Sequence, residues 1–184
     1  MTDKINKRIS KILSLILRHR PEVVGITLDE GGWAKVDDLI QKVNAKGEKL
    51  TLEQLEFIVD NNDKKRFTFN DDKSLIRASQ GHSIEVDLGL QQKVPPNPLY
   101  HGTAVKNVES IEKHGLLKKN RNHVHLSDNT GLAIQVGQRH GKPIVFEIDT
   151  FTMINDGYSF FFSKNSVWLT EEVPVKYLKK RTNF

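Results

Sequence analysis

Three of the chain's six prolines fall within four residues, in Val94-Pro95-Pro96-Asn97-Pro98. Closely spaced prolines fix φ, remove backbone donors and bias the residue before each of them toward extended geometry. Neither a helix nor a central strand can run through such a segment, which behaves as a semi-rigid spacer. It divides the 184 residues into two lobes, 1–94 and 95–184, each the size of a small domain.

The first lobe opens with Ile5, Ile9, Ile12, Leu13, Ile16 and Leu17 at helical spacing, and Pro21 limits that helix to about residues 18–20. Gly25-Ile26-Thr27-Leu28 reads as extended, followed by a turn at Gly31-Gly32 and the segment Trp33-Ala34-Lys35-Val36. Asp37 suits the N-cap of a second helix running to about Val43. Thr51-Leu52-Glu53-Gln54 is a capping-box pattern for a third, with Leu52, Leu55, Ile58 and Val59 on its apolar side. Arg66–Phe69 and Ser74–Arg77 flank the turn Asn70-Asp71-Asp72-Lys73 and form a hairpin. Three helices followed by a β-ribbon suggest a winged-helix-like lobe, a shape used for nucleic acids and for protein contacts alike.

The second lobe is richer in strands. Segments 98–101, 123–126, 143–148, 160–162 and 167–169 read as extended, while Val105–Lys113 and Thr130–Val136 read as helices. The strands do not alternate strictly with long helices, so the fold class is α+β with a mixed sheet rather than a doubly wound one.

Composition narrows the chemistry. The chain has no cysteine, which excludes a disulfide framework, thiol catalysis and Cys-ligated zinc, and suits a reducing cytoplasm. No apolar run approaches a membrane span, and the N-terminus shows no signal-peptide pattern. The net charge of +5 is uneven: residues 1–94 hold 16 basic and 15 acidic groups, residues 95–184 hold 12 and 8. No block of five like charges occurs, so an anion site has to be assembled from scattered side chains. Walker and G-x-G-x-x-G loops are missing. His123 and His125 share a strand face, but without cysteine or a carboxylate–histidine motif nearby no metal is expected.

Three arginine-bearing turns remain, in a chain with eight arginines. Leu17-Arg18-His19-Arg20-Pro21 ends the first helix, where basic groups complement the helix dipole or, alternatively, clamp an oxyanion. Arg77-Ala78-Ser79-Gln80-Gly81-His82-Ser83 follows a strand, and Gly137-Gln138-Arg139-His140-Gly141-Lys142-Pro143 ends a helix. Each reads as an ordinary turn or as part of a shared phosphate site. Tyr100-His101-Gly102-Thr103 lies at a strand end, where glycine permits close backbone approach to a ligand and His and Thr supply directional hydrogen bonds.

Together these segments resemble the RNA 2′-phosphotransferases of the KptA type, enzymes that remove the splice-junction 2′-phosphate from tRNA. Leu28-Asp29-Glu30-Gly31-Gly32-Trp33, His123-Val124-His125-Leu126-Ser127 and Val167-Trp168-Leu169-Thr170 complete a set that runs in the family's order from about residue 8 to 178. The resemblance implies an N-terminal winged-helix lobe and a C-terminal ADP-ribosyltransferase-like lobe, with NAD⁺ and phosphate bound in the cleft between them. It carries the family's Arg-His-Arg-Arg set onto Arg18, His19, Arg77 and Arg139, and the NAD⁺-binding positions onto His101, Gly102, Thr103, His125 and Ser127. In that superfamily the first histidine bonds the adenosine ribose and the backbone of the next residue holds the nicotinamide amide. Ser79 departs from the asparagine common in the family.

The implied reaction consumes NAD⁺ as a co-substrate and needs no metal. The late strand, 165–170, is apolar where many protein-modifying ADP-ribosyltransferases carry a catalytic glutamate. A 2′-phosphate is already anionic, so the protein's part is positioning and charge stabilisation. The expected partners are NAD⁺ and a 2′-phosphorylated, tRNA-like RNA, with no membrane and no obligate protein partner, in the cytoplasm. Two other readings stay open: an ADP-ribosyltransferase that leaves its adduct on a nucleic-acid phosphate or a protein, and a winged-helix nucleic-acid-binding regulator.

Overall fold

Apolar periodicity and local capping account for most of the first unit in the computed structural model, which describes residues 3–62 and 64–181. The chain divides after Gly89 into two units. Helix α1 (Asp3–Arg18) buries Ile9, Leu13, Ile16 and Leu17, while Ile5 and Leu15 are exposed. A 3-10 turn at Pro21–Val23 follows it. Gly25–Leu28 is not a strand: Gly25 takes φ +74°, and the Ile26 amide donates to the Pro21 carbonyl at 3.1 Å.

Strand β1 (Ala34–Lys35) leads into α2 (Val36–Ala45). The N-cap is Lys35, without a side-chain cap; Asp37 lies two residues further on, in the first turn, where its charge complements the helix dipole. Helix α3 (Leu52–Asp60) begins with the expected reciprocal capping box between Thr51 and Gln54. Strands β2 (Phe67–Phe69) and β3 (Leu75–Ala78) form the hairpin, with Phe67 opposite Ala78 and Thr68 opposite Arg77. β1 adds to the other edge of β3, giving the order β1-β3-β2. Ile76 and Ala78 alternate into the core, and Leu75 and Arg77 point away from it.

The second unit contains β4 (Leu99–Ala104), α4 (Val108–His114), β5 (Leu116–Leu117), β6 (Val124–Leu126), α5 (Thr130–Gln138), β7 (Pro143–Ile148), α6 (Thr150–Asn155), β8 (Phe161–Phe162), β9 (Trp168–Thr170), β10 (Glu172–Val173) and β11 (Leu178–Arg181). They form sheets in the orders β11-β7-β4, β6-β9-β8 and β10-β5, and every strand pair is antiparallel. The segment expected as one helix from Val105 is a 3-10 turn at Val105–Asn107 followed by α4, which Gly115 ends at φ +76°. Pro96 and Asn97 belong to this unit: the Thr150 hydroxyl donates to the Pro96 carbonyl, and the Thr150 amide to Asn97 Oδ1. The chain is thus mixed α and β, with six α-helices and small antiparallel sheets among the described residues.

Two glycines decide how α5 lies on β4. A Cβ at Gly102 would fall 1.6 Å from the Ala133 carbonyl oxygen, and one at Gly137 would fall 2.5 Å from that of Thr103. Helix and strand backbones therefore meet almost directly. No described helix is long and apolar enough to cross a membrane.

Candidate active site

In the first unit the polar loop after β3 ties three of the singled-out residues together. The Ser79 amide donates to the Arg66 carbonyl at 2.8 Å, and the same carbonyl accepts from Arg18 Nη2 at 3.3 Å. The Ser79 hydroxyl, at the position where the resembling family has asparagine, donates to the Lys65 carbonyl. Four residues on, the Ser83 amide donates to the Arg18 carbonyl at 2.9 Å. The Ser83 hydroxyl lies 2.9 Å from His19 Nδ1. Residues 79–83 thus fix both the end of α1 and the ring of His19.

Arg77 projects from β3 away from the hydrophobic core. Its guanidinium lies over the Trp33 indole, Cζ 4.4 Å from the ring centroid, and donates to the carbonyls of Gly31 and Leu88. Burial disfavours its charge, while Asp29 and Asp87 oppose that effect. His82 is buried, and neither ring nitrogen has a hydrogen-bond partner. Burial first, then the charges of Arg18, His19 and Arg77, push its pKa down to about 4, so the ring is neutral at neutral pH. Arg18, His19 and Arg77 therefore share one electrostatic neighbourhood.

The second unit gathers the other candidates at the start of β4 and the end of β6. The Tyr100 amide donates to the Ser127 carbonyl, and the Ser127 amide returns the bond to Tyr100. His101 Nδ1 lies 3.0 Å from the His125 carbonyl. Burial is the main force lowering the His101 pKa, the Arg121 charge adds to it, and the carbonyl contact opposes it. Because a carbonyl only accepts, Nδ1 carries the ring proton and Nε2 presents a lone pair. At His125 the logic is reversed. Arg121 Nη1 lies 3.2 Å from Nδ1, and a guanidinium only donates, so Nδ1 accepts and the proton sits on Nε2.

The other candidates have structural partners of their own. Gly102 is buried under α5, and its missing side chain is required by the Ala133 backbone. Thr103 is buried, with its hydroxyl accepting from Asn107 Nδ2 at 3.0 Å. The Ser127 hydroxyl closes a local turn with Asn129. Arg139, exposed, is the C-cap of α5 in the second unit. On β9, Trp168, Leu169 and Thr170 are all buried, and the strand bears no carboxylate. His123 faces Glu171 at 3.7 Å and packs edge-on against Phe161. Three residues of these neighbourhoods had no role from sequence: Trp33, Ser83 and Arg121. The turns of Trp33 and Ser83 are visible as motifs, but no spacing rule connects them to Arg77 and His19 across the chain; Arg121 lies in a turn that no motif marks, four residues before His125.

The family model for "RNA 2′-phosphotransferase, Tpt1 / KptA family" matches residues 4–172. The "Probable RNA 2′-phosphotransferase" of Flavobacterium johnsoniae is 52% identical over 179 residues, spanning 97% of this chain and 98% of that protein. The Burkholderia pseudomallei protein of the same name is 51% identical over 175 residues, 95% of each chain. That of Nostoc punctiforme is 49% identical over 180 residues, spanning 98% of this chain and 99% of its own.

Proposed function

Since the chain belongs to the Tpt1 / KptA family of RNA 2′-phosphotransferases, we propose that it removes an internal 2′-phosphate from RNA at the expense of NAD⁺. The observation that carries this reading is the pinned loop 79–83, which draws Arg18 and His19 into one neighbourhood with Arg77. Two guanidinium forks and an imidazole are the donors a phosphate dianion calls for.

NAD⁺ enters as a substrate: its nicotinamide-ribose C1″ takes the phosphate oxygen as nicotinamide leaves, and the ribose 2″-OH then displaces the RNA 2′-oxygen from phosphorus. The products are RNA with a 2′-OH, nicotinamide and ADP-ribose 1″,2″-cyclic phosphate. Arg18, Arg77 and Arg139 neutralise the phosphate and the charge that grows on it. His19 protonates the departing RNA 2′-oxygen. The acid is the imidazolium, whose two nitrogens both donate: Nδ1–H is held by the Ser83 hydroxyl, and Nε2–H is the proton given to the leaving oxygen.

The second unit suits the dinucleotide. His101 Nε2 accepts from a ribose hydroxyl, and His125 Nε2–H donates, in keeping with the tautomers their neighbours impose. β4 is the outer strand of its sheet, bridged on that side only at Tyr100 among the described residues. The Gly102 backbone on this strand is thereby suited to a carboxamide. Thr103 and Ser127 support the strand and the turn that flank it.

This reading takes the first unit as winged-helix-like and the second as ADP-ribosyltransferase-like, acting on a tRNA-like RNA in the cytoplasm. A groove-reading regulator is disfavoured by α3, which carries Glu53, Glu56 and Asp60 where such a protein needs cations. The test is an oligonucleotide bearing one internal 2′-phosphate, incubated with and without NAD⁺. Loss of the phosphate only when NAD⁺ is present is expected. Equal loss without NAD⁺, or no loss with it, overturns the proposal.

A further inference from the structure

Arg77 is held on three sides by groups that the proposed reaction does not use. Its Nη1 donates to the Gly31 carbonyl at 3.0 Å and its Nη2 to that of Leu88 at 3.4 Å, while the Trp33 indole covers one face of the guanidinium. Of about five guanidinium N–H groups, two are committed to backbone, which leaves about three and one face for a ligand.

The turn that presents Trp33 is itself rigidly closed. The Trp33 amide donates to Asp29 Oδ1 at 2.8 Å, the Asp29 amide donates to the Trp33 carbonyl, and the Gly32 amide donates to the Asp29 carbonyl. Gly32 takes φ +76°, a conformation that favours glycine. A Cβ on Gly31 would lie 3.0 Å from Trp33 Cδ1, so that turn packs against the indole edge. The segment carrying Leu88 is joined to the same turn, because the Asp87 amide donates to the Glu30 carbonyl at 2.8 Å. Two carbonyls fix where the guanidinium sits, but two hydrogen bonds along one edge still allow it to rock about that edge. The aromatic face removes this freedom.

We propose that Trp33 is a positioning residue that sets the plane of Arg77 for a phosphate on RNA. The inference rests on the reading of Arg77 as a phosphate ligand. It gives the Asp29–Trp33 turn a purpose that hydrophobic packing does not supply, since Trp33 lies outside the buried core of the first unit.

The test is a double-mutant cycle on binding, using a short RNA with one 2′-phosphate and no NAD⁺, so that no turnover occurs. W33L removes the π-face and should weaken binding about tenfold, while W33F, a poorer aromatic platform than Trp, should weaken it about threefold. In the R77A background both substitutions should have no further effect, because their action passes through the guanidinium. Circular dichroism and thermal unfolding check that each variant is folded, and W33F carries the cycle alone if W33L is not. Effects of W33L or W33F that persist undiminished in R77A mean a general structural role and overturn the inference. So does unchanged binding by W33F in the wild-type background. If R77A itself binds the 2′-phosphate normally, the assignment of Arg77 fails instead, a separate result from failure of Trp33.

Discussion

Substituting Gly102 by alanine tests how the second unit sets its candidate residues. The new Cβ would lie 1.6 Å from the Ala133 carbonyl oxygen, 2.4 Å from its carbon and 3.0 Å from its Cα. Ordinary contact begins near 3.4 Å, and the obstacle is helix backbone, not a side chain that can swing aside. β4 is paired with β7 over six residues and cannot easily yield, so α5 has to retreat by about 1.5–2 Å. Overpacking typically costs ~1–3 kcal/mol, and a rigid backbone obstacle places G102A at about 3 kcal/mol or above. For a unit of about 95 residues, at roughly 4–8 °C per kcal/mol, the unfolding midpoint should fall by about 12 °C or more. Because Arg139 caps the displaced helix, 2′-phosphate removal by the folded fraction should fall about 100-fold. Scanning calorimetry and initial rates under saturating NAD⁺ measure the two effects. A variant with wild-type midpoint and rate would refute the claim that the α5–β4 contact sets the site.

The remaining substitutions separate structural from chemical roles. Arg139→Ala and His19→Ala should each slow 2′-phosphate removal by ~10²–10⁴ with little change in the unfolding midpoint, and quenched-flow or gel-based rates decide this. His82 is neutral when folded, with a pKa of about 4 against 6.5 for an ordinary histidine, so its contribution to stability is fully present above pH 6.5. That contribution, about 3 kcal/mol, is lost as the pH falls from 6.5 to 4, because the unfolded chain binds a proton that the folded chain does not. Urea titrations across this range should show the slope in the wild type and a flatter one in His82→Leu. Thr51→Ala removes one arm of the α3 capping box and should cost about 1 kcal/mol in the same assay, without altering the rate.

Local rules made much of the fold legible. Thr51 and Gln54 announced α3, the Asn70–Lys73 turn announced its hairpin, and the run Pro143–Ile148 forms β7 with the expected ends. Elements were missed where tertiary partners supply the stability. β11 reads Leu-Lys-Lys-Arg, a surface composition, and lies beside β7 with Lys180 on Glu112 and Arg181 beside Glu147. α6 has six residues, too few to show a periodicity, and starts from the Asp149 cap. At the candidate site, the types at Arg18, His19, Arg77, His101 and His125 could be read from sequence. The way each is held could not, because Ser83 and Trp33 act across distant chain segments and Arg121 acts from a turn that carries no motif. Gly102 carries a second requirement that the sequence does not show: a Cβ there would collide with the backbone of α5.

The central claim is that the 2′-phosphate leaves RNA on ADP-ribose. It is tested most directly by following the phosphorus itself, with a radiolabelled 2′-phosphate on an internal nucleotide, NAD⁺ and purified protein. The account predicts that all released label appears as ADP-ribose 1″,2″-cyclic phosphate, one equivalent per nicotinamide. Label recovered as inorganic phosphate, or kept on an RNA that has gained ADP-ribose as the final product, would contradict it.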